Sequence, residues 1–417
     1  MRRAMPERGT EWSVLSARMR AFGAEDVDWR DGRAAVYVFH AGDDVLDVAK
    51  RAYSFYQSEN GLGPAAFPSL AKMEREVLDA GLDLLRAPEG ACGNMTSGGS
   101  ESIFMAVKAC RDAARASGRD TRGGEIVVPR STHPAFDKAA RYLDLEVVRV
   151  PVADDLRADV GAMREAIGER TLMLVGSAPC FPYGLIDPIP ALGELALEHD
   201  LWLHVDACVG GYFAPFARMN GVPIEDFDFS VPGVASISAD LHKYGYAAKG
   251  ASTIFHRSKE QREHQIFTFG DWPAGGMTTP TAAGTRPGGA IAAAWAVLHY
   301  LGVEGYREKA AAVVAAREKL DAAIAEMPEL TRLGDPQLGL IAFTARDAEA
   351  LSIFAVWARL KERGWFTGVV TEPQGIHLML SPAHAHVIDE YVSDLREAVA
   401  GVVAGAESAD GFEARYS

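Results

Sequence analysis

Residues Leu201–Cys208 read LWLHVDAC. The run is apolar at Leu201, Trp202, Leu203 and Val205 and stops at the carboxylate of Asp206. A short, near-continuous apolar run bounded by polar residues suits a strand buried on both faces. Runs of the same kind lie on either side: Glu125–Pro129, Glu146–Val150, Thr171–Gly176, Val234–Ser238 and Ser252–His256. Helical patterns separate several of them. In ESIFMAVKACRDAARA, Ile103, Phe104, Val107 and Cys110 share one face, and Lys108, Arg111, Asp112 and Arg115 fall largely off it. Strands alternating with helices give an α/β fold with a mostly parallel sheet.

Beyond Tyr306 the pattern changes to helix at Arg307–Ala325, strand at Leu338–Ala345, helix at Leu351–Arg363, strand at Ile376–Leu380 and helix at Val387–Val402. This reads as a smaller α+β domain. The expected division is an N-terminal arm or cap at 1–60, a large domain at 61–305 and a small C-terminal domain at 306–417.

The bulk numbers exclude several classes. A chain of 417 residues that is 48% hydrophobic can bury a large core. Its net charge of −15 and lack of a Lys/Arg-rich run argue against a nucleic-acid partner. No apolar segment follows the early arginines, so no secretory signal is read, and Ala290–Leu298 is too short to span a bilayer. The four cysteines form no CxxC pair, which fits a reduced cytoplasm better than a disulfide framework. GLGPAA at Gly61–Ala66 matches GxGxxA formally, but no strand precedes it and Pro64 crowds it.

Three segments stand where an open α/β sheet places its ligands, beyond the carboxyl ends of strands. MTSGGSES (Met95–Ser102) runs a Gly-Gly-Ser turn into a helix, which suits an anion, although Ser100 as a plain N-cap reads almost as well. HVDAC puts Asp206 at a strand end, where a half-buried carboxylate needs a cationic partner or caps the next turn. His204, Asp206 and Cys208 alternate on one face and so also suggest a metal, but no second ligand cluster accompanies them. SISADLHKYGYAAKG (Ser236–Gly250) carries Lys243 beside His242 in a small and aromatic setting. A lysine amine is nucleophilic only when neutral, and such a setting favours that form. A phosphate turn, a carboxylate and a lysine, in that order, are what pyridoxal phosphate requires: an anion cradle, a partner for the pyridinium and a Schiff-base lysine. His133, after Glu125–Pro129, suits a ring stacked on the cofactor or a cap at a helix start.

With these segments in hand, the chain resembles the sphingosine-1-phosphate lyase family, from the group II decarboxylase branch of the fold-type I pyridoxal phosphate enzymes. The carriers are MTSGGSESIFMAVKACRD, HPAFDKAARY, HVDACVGGYFAPF, SISADLHKYGYAAKG and PTAAGTRPGG, spread over about Asn60 to Val402. The resemblance implies an aspartate aminotransferase-like large domain and a homodimer with active sites at the interface. It implies that Lys243 carries the cofactor, Asp206 pairs with its ring nitrogen and His133 stacks on the ring. Gly99, Ser100 and His242 would hold the cofactor phosphate. Lys249 would approach a substrate phosphate, and Asn60, Thr285 and Arg286 would line the substrate pocket. No metal is implied.

The match departs at two places. Gly63 stands where the family has a histidine, and Met277 stands where it has a tyrosine. Both positions handle substrate in such lyases. The expected activity is cleavage of a β-hydroxy amine, phosphorylated or not, to an aldehyde and an amine such as phosphoethanolamine. The alternative is decarboxylation of an amino acid. A cofactor-carrying regulator and a metal-dependent hydrolase are the remaining readings.

Overall fold

In a computed structural model of the chain, residue 2 and residues 4–405 are described; the end of the expected small domain (406–417) and positions 1 and 3 lie outside them. The apolar runs form six strands of a seven-stranded sheet, five inside it and one, Leu145–Val150, at an edge. Its strands are β1 (Cys92–Thr96), β2 (Gly124–Pro129), β3 (Leu145–Val150), β4 (Thr171–Ser177), β5 (Trp202–Asp206), β6 (Val234–Ala239) and β7 (Ser252–His256), in the order β1-β7-β6-β5-β4-β2-β3. β2 to β6 form parallel pairs, and β7 runs antiparallel to both neighbours. Every residue of β4 and β6 is buried, as strands covered on both faces require.

β1 has no counterpart among the expected strands because CGNMT has no apolar run. Asn94 and Thr96 are buried, and Gly93 packs its backbone against Phe255 and the Ile254 carbonyl. A strand that meets backbone this closely is selected for smallness rather than for apolarity.

The C-terminal part holds a second sheet, built from β10 (Leu330–Arg332), β11 (Leu340–Ala345), β12 (Gly368–Thr371) and β13 (Gln374–Met379) in the order β10-β11-β13-β12, all antiparallel. Between the two sheets along the chain comes a hairpin of β8 (Phe267–Phe269) and β9 (Met277–Thr279). The long helix expected from Arg307 begins earlier and covers Gly288–Ala325, with non-helical backbone at Gly302 (φ 54°, ψ −175°). The apolar stretch at Ala290–Leu298 is therefore the buried first half of this helix. Gly289 lets it press on the ring of Tyr53 in the helix Asp43–Phe55.

The first 60 residues divide between two tasks. Ala35 N–H donates to the Phe366 carbonyl, and Ala35 O accepts from Met379 N–H, so this segment joins the small sheet. The helix Trp12–Phe22 has no buried residue, and Trp12, Met19 and Phe22 are exposed. Among the described residues, no helix is long and apolar enough to cross a membrane.

One residue ties the two sheets together beside the candidate site. Tyr244 is 1% exposed, packs against Phe213 and Phe39, and donates its hydroxyl to the Leu380 carbonyl at 2.6 Å. Removing that donor leaves a buried carbonyl unpaired. Tyr244→Phe is expected to lower unfolding stability by about 1–2 kcal/mol without changing the fold. Denaturant unfolding checks this, and an unchanged midpoint would contradict it.

Candidate active site

β6 ends at Ala239, and the chain turns at once through Asp240–Tyr246. The turn is held from below by Tyr306, whose hydroxyl donates to the Gly245 carbonyl at 2.8 Å, and Tyr306 stacks on both Tyr246 and Phe216. Lys243 Nζ lies 2.9 Å from Asp240 Oδ2. Burial works against the lysine charge, but Asp240, with Asp206 behind it, outweighs burial and holds the ammonium above the usual lysine range. Burial likewise opposes the Asp240 charge, and Lys243 and His242 outweigh it, so the carboxyl lies below its usual range. His242 Nε2 is 3.6 Å from the same carboxylate, while its Nδ1 is buried without a hydrogen-bond partner.

Asp206, 8% exposed, closes β5. Its Oδ1 accepts from Cys208 N–H at 3.1 Å and from Ser238 Oγ at 3.3 Å. Both bonds use one oxygen and orient the carboxylate. His133 stands in the loop after β2, and its Nδ1 accepts the Ala135 N–H at 3.1 Å, so the ring does serve a helix start. Burial pulls its pKa down, with Asp206 and Asp240 opposing and Lys243 assisting. Those couplings place His133, Asp206, Asp240 and Lys243 in one cluster at the carboxyl ends of β2, β5 and β6.

The Gly98–Gly99 turn opens the helix Gly99–Ala116 and packs on this cluster. A Cβ on Gly99 would meet Cys208 Sγ at 2.8 Å and Asp240 Oδ2 at 2.9 Å, and one on Gly98 would meet His242 Cε1 at 3.5 Å. Ser100 is exposed on the first turn. Glu101 is more than a first-turn acid. Its Oε2 accepts from Ser97 N–H at 2.7 Å, and its Oε1 accepts from the N–H groups of Ala282 and Ala283. It thereby joins the glycine turn to the 280–286 loop.

Asn60, Thr285 and Arg286 form a separate group. Asn60 Nδ2 donates to Thr285 Oγ1 at 3.3 Å, Asn60 Oδ1 accepts the Arg286 N–H, and the Arg286 guanidinium is taken by Glu74 at 2.5 Å. Arg286 borders a cavity of about 640 Å³ that includes Gly61, Leu62, Glu74, Thr281 and Gly284 but not Lys243. The two departures lie beside residues of this cavity: Leu62 and Pro64 flank Gly63, where a Cβ would meet only Ala66 Cβ at 3.9 Å, and Met277 Cε lies 3.8 Å from a would-be Cβ on Gly284. Lys249 instead donates to the carbonyls of Tyr37 at 2.9 Å and His242 at 3.3 Å. Burial, then the nearby Lys243, pulls its pKa down to about 8. A further cavity of about 500 Å³ lies between the sheets, lined by His133, Thr132, Phe181, Tyr183, Val370 and His377 among others.

His204, the centre of the metal alternative, has both ring nitrogens engaged by Ser236 and Ser238. Among the described residues, no group of three or more His, Cys, Asp or Glu side chains could hold a metal ion.

The model of the pyridoxal-dependent decarboxylase conserved domain matches residues 38–346. The sphingosine-1-phosphate lyase of Arabidopsis thaliana is 41% identical over 408 residues, covering 96% of this chain and 74% of that protein. The solved structure of the Burkholderia pseudomallei sphingosine-1-phosphate lyase superposes with a TM-score of 0.92 at 36% identity, over 97% of this chain and 94% of that one. The chain belongs to the pyridoxal-dependent decarboxylase family, with the sphingosine-1-phosphate lyases. A probable L-tyrosine/L-aspartate decarboxylase of Methanothermobacter thermautotrophicus is 32% identical, covering 85% of this chain and 94% of that protein. This enzyme is thus a pyridoxal phosphate-dependent lyase, as the resemblance read from its motifs implies.

The cluster suits that cofactor on its own geometry. The lack of side chains at Gly98 and Gly99 lets the backbone of the turn lie against Asp240 and His242, and His242 Nδ1 is a buried polar atom without a partner beside it. Gly98, Gly99 and His242 could hold a phosphate, and Asp206 Oδ2 remains for a cation. Sequence reasoning passes over Asp240, which sits three residues before Lys243 in the same motif. Asp240→Asn removes the largest of the charges that keep Lys243 protonated and leaves only the weaker pull of Cys208 and Asp206 against burial. Covalent cofactor uptake by the apo-protein, followed by visible absorbance, is expected to reach half its maximal rate at a pH lower by at least about one unit. An unchanged profile would contradict the role of Asp240.

Proposed function

We propose that this enzyme cleaves the carbon–carbon bond of a phosphorylated long-chain β-hydroxy amine, releasing a long-chain aldehyde and a phosphorylated amine. The observation that carries the reading is the meeting of Lys243, Asp206, His133 and the Gly98–Gly99 turn in a chain 41% identical to a lyase of that name. When bound, pyridoxal phosphate accepts the electron pair released at the substrate's amine-bearing carbon. The protein's part is to hold protons and charges in place. Asp206 keeps the ring nitrogen protonated, since a buried carboxylate stabilises a facing cation. Lys243 carries the cofactor, and Asp240 holds its ammonium whenever the lysine is displaced. His133 covers one face as a neutral ring. Gly99, Ser100 and His242 bind the cofactor phosphate through backbone N–H groups, a hydroxyl and a ring nitrogen.

Lys249 is the cation proposed for the substrate phosphate. Asn60, Thr285 and Arg286 gather at a cavity that Lys243 does not line, which supports a pocket completed across a homodimer, with each copy lending these residues to the other. The exposed Trp12, Met19 and Phe22 give such a dimer apolar surface to cover. A cytoplasmic location accords with four free cysteines and with no helix among the described residues able to span a membrane.

Amino-acid decarboxylation is the second reading. It is favoured by Gly63 and Met277, which replace a histidine and a tyrosine around one cavity and weaken its polar contacts. Supplying the purified enzyme with a phosphorylated sphingoid base and with a panel of amino acids decides between them. Release of a long-chain aldehyde is expected; carbon dioxide from an amino acid, with no aldehyde, would overturn the lyase reading.

The pH dependence follows from Lys249. Its pKa of about 8 leaves the ammonium charged below that pH and neutral above it. KM for the phosphorylated substrate is expected to rise as pH passes through about 8. Lys249→Met is expected to raise KM at pH 7 by about tenfold and to remove the step. A step that survives in this variant would assign the phosphate to another group.

A further inference from the structure

β5 and β6 pair in parallel with His204 opposite Ser236 and Asp206 opposite Ser238. The two-residue period of a strand puts all four side chains on one face. Ser236, His204 and Ser238 are each 0% exposed, in the middle of a sheet whose neighbouring positions are Leu203, Val205 and Ile237. A fold needing only stability would fill these places with apolar side chains, because buried polar groups cost stability unless every one is bonded.

Here every one is bonded, and the bonds have a direction. Trp202 Nε1–H can only donate, and it donates to Ser236 Oγ at 2.7 Å. The Ser236 hydroxyl proton then goes to its remaining neighbour, His204 Nδ1, at 2.8 Å. With Nδ1 accepting, the neutral ring carries its proton on Nε2, which donates to Ser238 Oγ at 3.2 Å. Ser238 donates in turn to Asp206 Oδ1 at 3.3 Å. Burial, against the pull of Asp206, holds the His204 pKa down at about 4, so the ring stays neutral at working pH. Phe136 packs beside the ring, with centroids 5.7 Å apart and the planes tilted by 60°.

We infer that Trp202, Ser236, His204 and Ser238 form a one-way row of donors that orients Asp206 and stabilises its negative charge toward the cofactor ring nitrogen, with His204 a positioning residue acting through Ser238. The inference rests on the assignment of Asp206 proposed above. Every member of the row is a neutral donor, so the carboxylate gains the Ser238 hydrogen bond without a proton being transferred to it. The alternation that suggests a metal site is instead one half of a cross-strand ladder.

The test uses the full-length enzyme and four variants: Ser238→Ala, Ser238→Thr, His204→Phe and the double variant His204→Phe/Ser238→Ala. The readouts are cofactor dissociation constant, visible absorbance of the bound cofactor, and thermal midpoint of the apo-protein. Ser238→Ala and His204→Phe are each expected to weaken cofactor binding by about tenfold and to displace the absorbance band, while Ser238→Thr restores both. Because His204 acts through Ser238, the double variant is expected to bind no worse than Ser238→Ala to within about twofold. A lowered midpoint with wild-type affinity and spectrum would make the row structural only and overturn the inference. Should His204→Phe not fold, the Ser238→Ala and Ser238→Thr pair decides by the same criteria. Failure of the wild-type enzyme to bind the cofactor at all would overturn the site assignment itself, and the inference with it.

Discussion

The Lys243–Asp240 ion pair sets the conditions for everything around it. A lysine at the carboxyl edge of a buried sheet would lose its proton to desolvation; a carboxylate 2.9 Å away reverses that. The pair survives burial because each charge answers the other, and such a pair is costly to break on one side only. The surrounding architecture serves to keep it in register. Tyr244 ties the turn to the small sheet, and Tyr306 ties it to the long helix. The glycine turn presses on Asp240 from the opposite side. On the proposed reading, the chemistry begins when Lys243 is shared between this carboxylate and a cofactor carbonyl.

A second carboxylate, Asp206, is held by different means. It has no lysine on Oδ1 but two neutral donors, Ser238 and the Cys208 backbone. The two aspartates thus divide the work proposed for them: one manages an amine, the other a ring nitrogen. Their separation follows from topology, since they stand at the ends of adjacent parallel strands.

Much of this is legible in the amino-acid sequence. The central strands β4, β5, β6 and β7 show as apolar runs because both their faces are covered, and Asp206 and Lys243 stand out because charge interrupts such runs at their ends. β1 stays hidden because its places are chosen for close backbone approach at Gly93 and for buried hydrogen bonding at Asn94 and Thr96. The helix start falls at Gly288 rather than Arg307 because an alanine-rich stretch buried all round has no periodic face to read. Asp240 and Glu101 escape notice for a shared reason. Their partners, a lysine on a tight turn and a loop far along the chain, are set by tertiary geometry. His204 reads as a ligand candidate because alternation reports only a shared face; the serines that satisfy it belong to the next strand. Asn60, Thr285 and Arg286 are drawn together by resemblance, and the chain does assemble them, at a cavity that Lys243 does not line.

The most direct measurement of the central claim is chemical. Borohydride reduction of the cofactor-loaded enzyme, followed by peptide mapping, identifies the residue that carries the cofactor. The account predicts one modified peptide, containing Lys243. Modification at Lys249 or at any other lysine, with Lys243 untouched, would contradict it.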